Sequence, residues 1–231
     1  MNFAILGNGK TGKEVQTLLT EDNYTVFNQS NHPTLSRLKG HDVIISFLPG
    51  TPFVNLIPLF IESKIPVVTG STGFVWPDDI NSRLISNNLC WIYANNFSLG
   101  MNIINLMISR MKQISLLTNN YSFSLHEIHH SKKLDTPSGT AKEWKKWLNE
   151  DITITSERVG DVIGIHELNL DLFDETITLK HNAKSRKVFA TGALFAAEKI
   201  LQKNFLSPGL HQFNEMILKL ISCTTLSSGG I

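Results

Sequence analysis

Asn2-Phe3-Ala4-Ile5-Leu6-Gly7-Asn8-Gly9-Lys10-Thr11-Gly12 is a short apolar run that stops at three spaced glycines and passes into helical spacing at Val15, Leu18 and Leu19. An apolar run this short, bounded by glycine, reads as a strand, and the recurrence after it reads as a helix. The glycines follow the pattern G-x-G-x-x-G. The first permits a tight turn, the second lets backbone approach a pyrophosphate, and the third lets the helix pack on the strand. The exposed N–H groups at the helix start favour negative charge. Alone the motif is weak and a plain glycine turn would explain it. Its context, strand before and helix after, is the one a dinucleotide site demands. Gly7, Asn8, Gly9, Lys10, Thr11 and Gly12 are therefore candidate cofactor contacts.

The alternation continues outward from this point. Residues 24–28, 42–47, 66–69 and 91–94 read as strands, and 53–63 and 77–86 as helices. The β-branched run at 42–47 looks like a strand buried on both faces. This order implies a mainly parallel sheet with helices on both sides, an α/β class. Two loops at strand carboxyl ends, Gly70-Ser71-Thr72 and Ala94-Asn95-Asn96-Phe97, lie where such sheets bind ligands. They are expected to line a nicotinamide pocket with backbone groups and the Phe97 ring, although ordinary turn chemistry would account for them equally. After the second strand comes Phe27-Asn28-Gln29-Ser30-Asn31, with no carboxylate to clamp the ribose hydroxyls of NAD. Nothing there would repel a 2′-phosphate, and Lys10 is either its partner or a solvated lysine. The cofactor is NADPH or NADH, with a lean toward NADPH or dual use.

The pattern changes near residues 97–102. A long helix is expected over 99–117, a strand over 121–130, an antiparallel pair at 168–172 and 175–181 around Asp174, and a helix over 188–201. This half reads as α+β. Residues 1–98 form the first expected domain, completed by about 203–231, and 99–202 the second. The chain after Pro208 is expected to return to the first domain, and residues 227–231 to fray.

With 231 residues, 42% hydrophobic and 18% charged, the chain can bury a sizeable core. A net charge of +1 gives no field to steer nucleic acid or an anionic membrane, so neither is an expected partner. Cys90 and Cys223 have neither zinc spacing nor disulfide density, and no leader or spanning segment is apparent. The expectation is a cytoplasmic protein.

Chemistry concentrates in Glu127-Ile-His-His-Ser-Lys-Lys-Leu-Asp-Thr-Pro-Ser-Gly-Thr-Ala141. Strand neighbours point to opposite faces, so His129 and His130 should not share a role unless the strand has ended. Lys133 follows, then Ser138-Gly139-Thr140 opens a helix near Ala141, with hydroxyls for capping and N–H groups for a carboxylate. Imidazoles suit proton transfer near neutrality. Each residue alone has a bland explanation: a surface His, a solvated Lys pair, a helix cap. Together they place cations, a proton donor and an anion-binding helix end within a dozen residues. A zinc site lacks a His-x-x-x-His or Cys pair, so no metal is expected. Arg186, in a second basic cluster at 181–186, could fork onto a substrate carboxylate or simply start a helix.

At these residues the chain resembles the 4-hydroxy-tetrahydrodipicolinate (dihydrodipicolinate) reductase family, whose pattern E-x-H-H-x-x-K-x-D-x-P-S-G-T-A it matches at every fixed position. The resemblance extends to Gly70-Ser-Thr-Gly-Phe74, Asn96-Phe-Ser-Leu-Gly-Met-Asn102, Arg158-Val-Gly160, Gly164-Ile-His166 and His181-Asn-Ala-Lys-Ser-Arg186. It implies a Rossmann-type N-terminal domain with an α+β substrate-binding and oligomerisation domain, and a homotetramer formed by joining sheets. It implies His129 as acid/base and Lys133 as proton donor. His130, Ser138, Gly139, Thr140 and Arg186 would hold a small dicarboxylate, and the glycine and strand-end loops would hold the cofactor. The chain departs from the family where Ser46 replaces the acidic residue of an Asp-Phe-Thr motif and Lys10 a common arginine. Another Rossmann-type oxidoreductase would share the glycine loop without the 127–141 segment. A non-catalytic nucleotide sensor would have no need to keep both His129 and Lys133.

Overall fold

A computed structural model describes residues 1–226; the expected frayed tail at 227–231 lies outside the described residues. The chain divides into two compact units, one comprising Met1–Ser98 and the chain from Arg186 onward, the other Leu99–Ser185.

The first unit is built on a six-stranded, wholly parallel sheet. Its strands are β1 (Phe3–Leu6), β2 (Tyr24–Phe27), β3 (Val43–Ser46), β4 (Val67–Thr69), β5 (Cys90–Tyr93) and β10 (Gly209–Gln212), ordered β10-β5-β4-β3-β1-β2. Every residue of β1 and β3 is buried, as continuous apolar runs covered on both faces require. On one face Leu38 of the single-turn helix α2 (Leu35–Leu38), Phe53, Ile57 and Phe60 of α3 (Gly50–Ser63), and Ile80 and Leu84 of α4 (Ile80–Ser86) pack on Ala4, Leu6, Ile44, Val67 and Trp91. The other face takes α1 (Lys10–Thr17) and α7 (Lys187–Ile200), which touch each other. Both approach closely because of glycine. A Cβ on Gly12 would lie 2.0 Å from the Gly7 oxygen, and one on Gly192 only 1.7 Å from the Phe97 oxygen. The neighbouring α7 residues Ala190, Ala193, Ala196 and Ala197 are all buried, a small-residue face suited to such contact.

The chain after Pro208 returns to this sheet: β10 pairs with β5, and α8 (Phe213–Leu226) follows directly. The return begins earlier than the expected residue 203. Helix α7 belongs to the first unit, because its alanine and glycine face packs on β3, β4 and β5.

The second unit holds a four-stranded sheet, β7 (Thr153–Arg158), β6 (Tyr121–His129), β8 (Ile165–Leu172) and β9 (Thr176–Asn182), in that order. β6 and β7 run parallel, joined through α6 (Gly139–Leu148), and the remaining pairs are antiparallel. Strand β7 has no clear sequence signal, since Thr153 to Arg158 is polar and alternates only weakly in burial. The long expected helix ends at Met111 as α5 (Leu99–Met111) and tightens into a 3₁₀ segment, Lys112–Leu116. Met101, Ile104 and Ile108 of α5 and Trp144 and Leu148 of α6 cover Phe123, Leu125, Leu168, Leu170 and Leu179 of the sheet. Among the described residues no helix is long and apolar enough to cross a membrane.

Candidate active site

The covered face of the second sheet changes character along its length. At one level it carries Ile154, Leu125, Leu168 and Leu179 side by side; one level further it carries Ser156, Glu127, His166 and His181. Period-two geometry thus sets a polar row directly beside the apolar core. Beyond it come Arg158 and His129, which are also paired neighbours.

Glu127 is fully buried at the centre of this row. Its Oε1 accepts from the Ser138 N–H at 3.0 Å, the Ser156 hydroxyl at 2.8 Å and Arg158 Nη2 at 3.1 Å. Its Oε2 takes the same Ser138 N–H at 3.2 Å and lies 3.5 Å from His166 Nε2 and 3.6 Å from His129 Nδ1. Burial opposes ionisation of this carboxyl, but the donors from Ser138, Ser156 and Arg158 outweigh it and hold its pKa down to about 2.

His129 is 6% exposed and ends β6 on the buried face. Burial pushes its pKa below the usual value, Lys133 and Arg158 push the same way, and Glu127 opposes them. The ring is therefore neutral near pH 7 and able to accept a proton. His166, edge-on to it at 5.0 Å between ring centres, is driven down to about 3 by burial first and by the nearby His129 next. Gly164 gives His129 its room, since a Cβ there would lie 3.1 Å from Nε2. The strand has ended by His130, which is half-buried and turns the chain by accepting the Lys133 N–H with its carbonyl at 3.0 Å. The two histidines therefore differ in setting, because β6 stops at His129 and His130 belongs to the turn.

Lys133 is a partly exposed cation paired with Asp135 at 2.7 Å. The Lys133 hydrogen bond holds the Asp135 carboxyl below its ordinary range, and the Gly139 N–H adds to the effect. A carboxylate at this point thus engages both a lysine and a helix start. Ser138, expected among the substrate contacts, is buried and hydrogen-bonded within the protein. It is 1% exposed, caps α6 by accepting the Ala141 N–H at 3.1 Å, shares a 3.1 Å hydrogen bond with His166, and gives its own N–H to Glu127. The helix-start groups left to face a ligand are those of Gly139 and Thr140. Arg186 is exposed and sits at the N-terminal end of α7, in the first unit.

Glu127, His129 and His166 bring ligand-type atoms within 4.8 Å of one another. Spacing in the sequence could not show this, because His166 arrives from another strand. The Arg158 cation on Glu127 and the donors already filling its oxygens make the group a hydrogen-bonded network and disfavour a cation.

In the first unit an open cleft of about 920 Å³ is lined by Gly7, Asn8, Gly9, Lys10, Thr11, Gly12, Asn28, Gln29, Ser30, Phe47, Leu48, Pro49, Gly70 and Thr72. These come from the ends of β1, β2, β3 and β4, around the point where strand order reverses between β1 and β3. The fit to a dinucleotide rests on two observations. The start of α1 has no side-chain cap and no acidic residue in its first turn, and a Cβ built on Gly9 would meet nothing within 4 Å. Uncapped N–H groups facing open space suit a pyrophosphate. Gly7 meets the turn's demand with φ of +101°.

Other expected cofactor contacts stand apart from this cleft. Ser71 is buried and pairs with Ser46 at 3.2 Å. Ala94 hydrogen-bonds back to Thr69, and the Asn96 side chain accepts the Ser98 N–H, while Asn95 follows β5 in the same loop. The Phe97 ring, expected to line the pocket, is 1% exposed and packed between Phe47 and Phe213. Phe47 supplies the aromatic wall instead, through a Phe-Leu-Pro turn whose role the sequence does not reveal.

Comparison with known proteins agrees with this geometry. Residues 103–217 match the family model for the C-terminus of dihydrodipicolinate reductase. A 4-hydroxy-tetrahydrodipicolinate reductase of Christiangramia forsetii is 34% identical over 226 residues, covering 88% of this chain and 93% of that relative. One of Thermosipho africanus is 31% identical, covering 94% and 98%. The fold is similar to the dipicolinate-bound dihydrodipicolinate reductase of Paenisporosarcina sp. TG-14, with TM-score 0.73, 22% identity, and coverage of 92% and 97%.

Proposed function

The chain belongs to the 4-hydroxy-tetrahydrodipicolinate reductase family, and from that premise we propose how its own residues carry out the reduction of 4-hydroxy-tetrahydrodipicolinate to tetrahydrodipicolinate in diaminopimelate and lysine biosynthesis. The observation that carries the proposal is the buried His129 at the end of β6, followed by a loop that bears the Lys133 cation and leads into the helix start at Gly139 and Thr140.

A nicotinamide nucleotide supplies the hydride. Gly7, Gly9 and the first N–H groups of α1 hold its pyrophosphate, and Phe47 and Thr72 wall the cleft. A substrate carboxylate takes the place now held by Asp135, bridging Lys133 and the Gly139 N–H, with Thr140 and His130 beside it. Arg186 serves the second carboxylate. The 4-hydroxyl first leaves as water with a neighbouring ring proton, giving a conjugated imine, and hydride addition to that imine leaves a negative centre that must be protonated. Lys133 delivers that proton and His129 relays its replacement.

The nucleotide is NADPH or NADH. Asn28, Gln29 and Ser30 leave the ribose end of the cleft without a carboxylate, and Lys10 lines the same cleft, which favours acceptance of a 2′-phosphate. A homotetramer belongs to the same proposal and rests on the family resemblance, and a cytoplasmic location is proposed with it. The reductase reading is tested by a coupled assay with aspartate semialdehyde, pyruvate and the upstream synthase. NADPH and NADH should both be oxidised only when the synthase is present; no oxidation above background would overturn it.

A further inference from the structure

We infer that Glu127 and Arg158 are positioning residues: their ion pair holds the loop carrying Lys133, and the start of α6, in register with His129. The inference rests on the reductase reading of this site and deepens it.

Three pieces of chain meet at this pair. Glu127 stands on β6, two residues before His129, and accepts the Ser138 N–H that begins α6. Arg158 stands on β7, directly across from His129. Its Nη2 reaches Glu127, the Asp135 carbonyl at 2.6 Å and the Thr136 hydroxyl at 2.9 Å. One planar guanidinium thereby ties the loop's main chain to the carboxylate beside the histidine. All three contacts leave one nitrogen of the Arg158 side chain. Its Nη1 is fixed in turn by the Glu157 carbonyl at 2.8 Å. The Lys133–Asp135 pair hangs from the clamped loop. Leu134, the loop's large apolar side chain, is 97% exposed and gives the loop no apolar anchor, which leaves the holding to polar contacts such as the clamp.

The arrangement gives each partner a separable signature. Glu127 is the nearest negative group to His129; the others facing the ring are Lys133 and Asp135 from the loop, Arg158 from β7 and His166 from β8. Replacing Glu127 by Gln removes the charge that favours protonated His129, so the His129 limb of the pH profile moves to lower pH. Arg158→Lys keeps the charge but loses the Nη1 contact to the Glu157 carbonyl that fixes the planar group, and Thr136→Val removes one anchor while leaving the carboxylate alone. Both release the loop while keeping the Glu127 charge beside His129, so that limb should move less than in Glu127→Gln.

The test measures kcat, KM and pH profiles of the intact enzyme, with histidine NMR titration in parallel. For Arg158→Lys, kcat should fall by as much as about 10²-fold, the scale of a misplacement of about 1 Å, with nucleotide KM unchanged. Thr136→Val should show a smaller fall of the same kind, and Glu127→Gln a lowered His129 titration. If the folded Arg158→Lys and Thr136→Val variants kept parental kcat, the clamp would be overturned. It would be overturned equally if His129 titrated alike in the parent and Glu127→Gln. Should Glu127→Gln fail to fold, the other two variants decide. A parent without reductase activity would defeat the functional reading, and the His129 titration would then still judge the clamp.

Discussion

The glycine cleft and the Glu127 network are built in opposite ways. The cleft's phosphate cradle comes from six consecutive residues, 7–12, whose roles follow from backbone needs: φ of +101° at Gly7, open space at Gly9, close packing at Gly12. The network draws on five separate places, Glu127, Ser138, Ser156, Arg158 and His166, joined by strand register and a helix cap. A contiguous site can be read from spacing. A dispersed one becomes visible only when register is known. Damage to the first should appear in stability and nucleotide KM, and damage to the second in turnover and pH dependence.

The largest contrast is expected from Lys133→Ala. Loss of a positioned proton donor should lower kcat by roughly 10²–10⁴-fold, with nucleotide KM held. Steady-state kinetics checks it, and a matched rise in nucleotide KM would blur the distinction between the two regions. Acid comes next. The Glu127 carboxyl lies at about 2 in the folded state against an ordinary value of 4.5. Its stabilisation is complete above the ordinary value and is lost as pH falls toward about 2, amounting to ~3 kcal/mol. Acid denaturation followed by circular dichroism should show this component in the parent and not in Glu127→Gln.

Gly12→Ala probes the cleft. A methyl placed 2.0 Å from the Gly7 oxygen must push α1 away from β1, destabilising the first unit by about 1–3 kcal/mol and raising nucleotide KM. An unchanged melting temperature with unchanged KM would contradict the close packing at this glycine. The smallest effect is expected at the ribose end. Asn28→Asp restores a carboxylate where the chain has an amide and should shift the kcat/KM ratio toward NADH by about tenfold, ~1.4 kcal/mol. Paired titrations of the two nucleotides measure it.

Much of the fold is legible in the sequence because its signals are local. The buried runs at β1 and β3, the glycine-opened α1 and the polar-to-apolar alternation of β6 all appear within a dozen residues. Strand β7 is not, since its residues are polar and its place is set by pairing with β6. The assignment of α7 to the first unit is hidden as well. Its amphipathic pattern says that it packs but not on which sheet, and the Gly192–Phe97 contact that decides it spans almost a hundred residues. In the site, His129, Lys133 and the α6 start stand out as residue types suited to proton transfer and anion binding. Ser138 shows its cap in the fold, and a cap and an anion site share the same sequence signal. Arg158 enters the sequence reading only through the family resemblance, and its pairing with His129 is what places it beside Glu127.

Residues 127–141 are assigned here the completion of a hydride transfer to the cyclic substrate. Nucleotide carrying deuterium at the transferable nicotinamide position tests that assignment most directly, with the synthase product as substrate and the reduced product read by mass spectrometry. The parent should place deuterium in tetrahydrodipicolinate, and Lys133→Ala should form little of that product over the same interval while still binding nucleotide. Nucleotide oxidation without deuterium in the product, or equal labelling by the parent and Lys133→Ala, would contradict it.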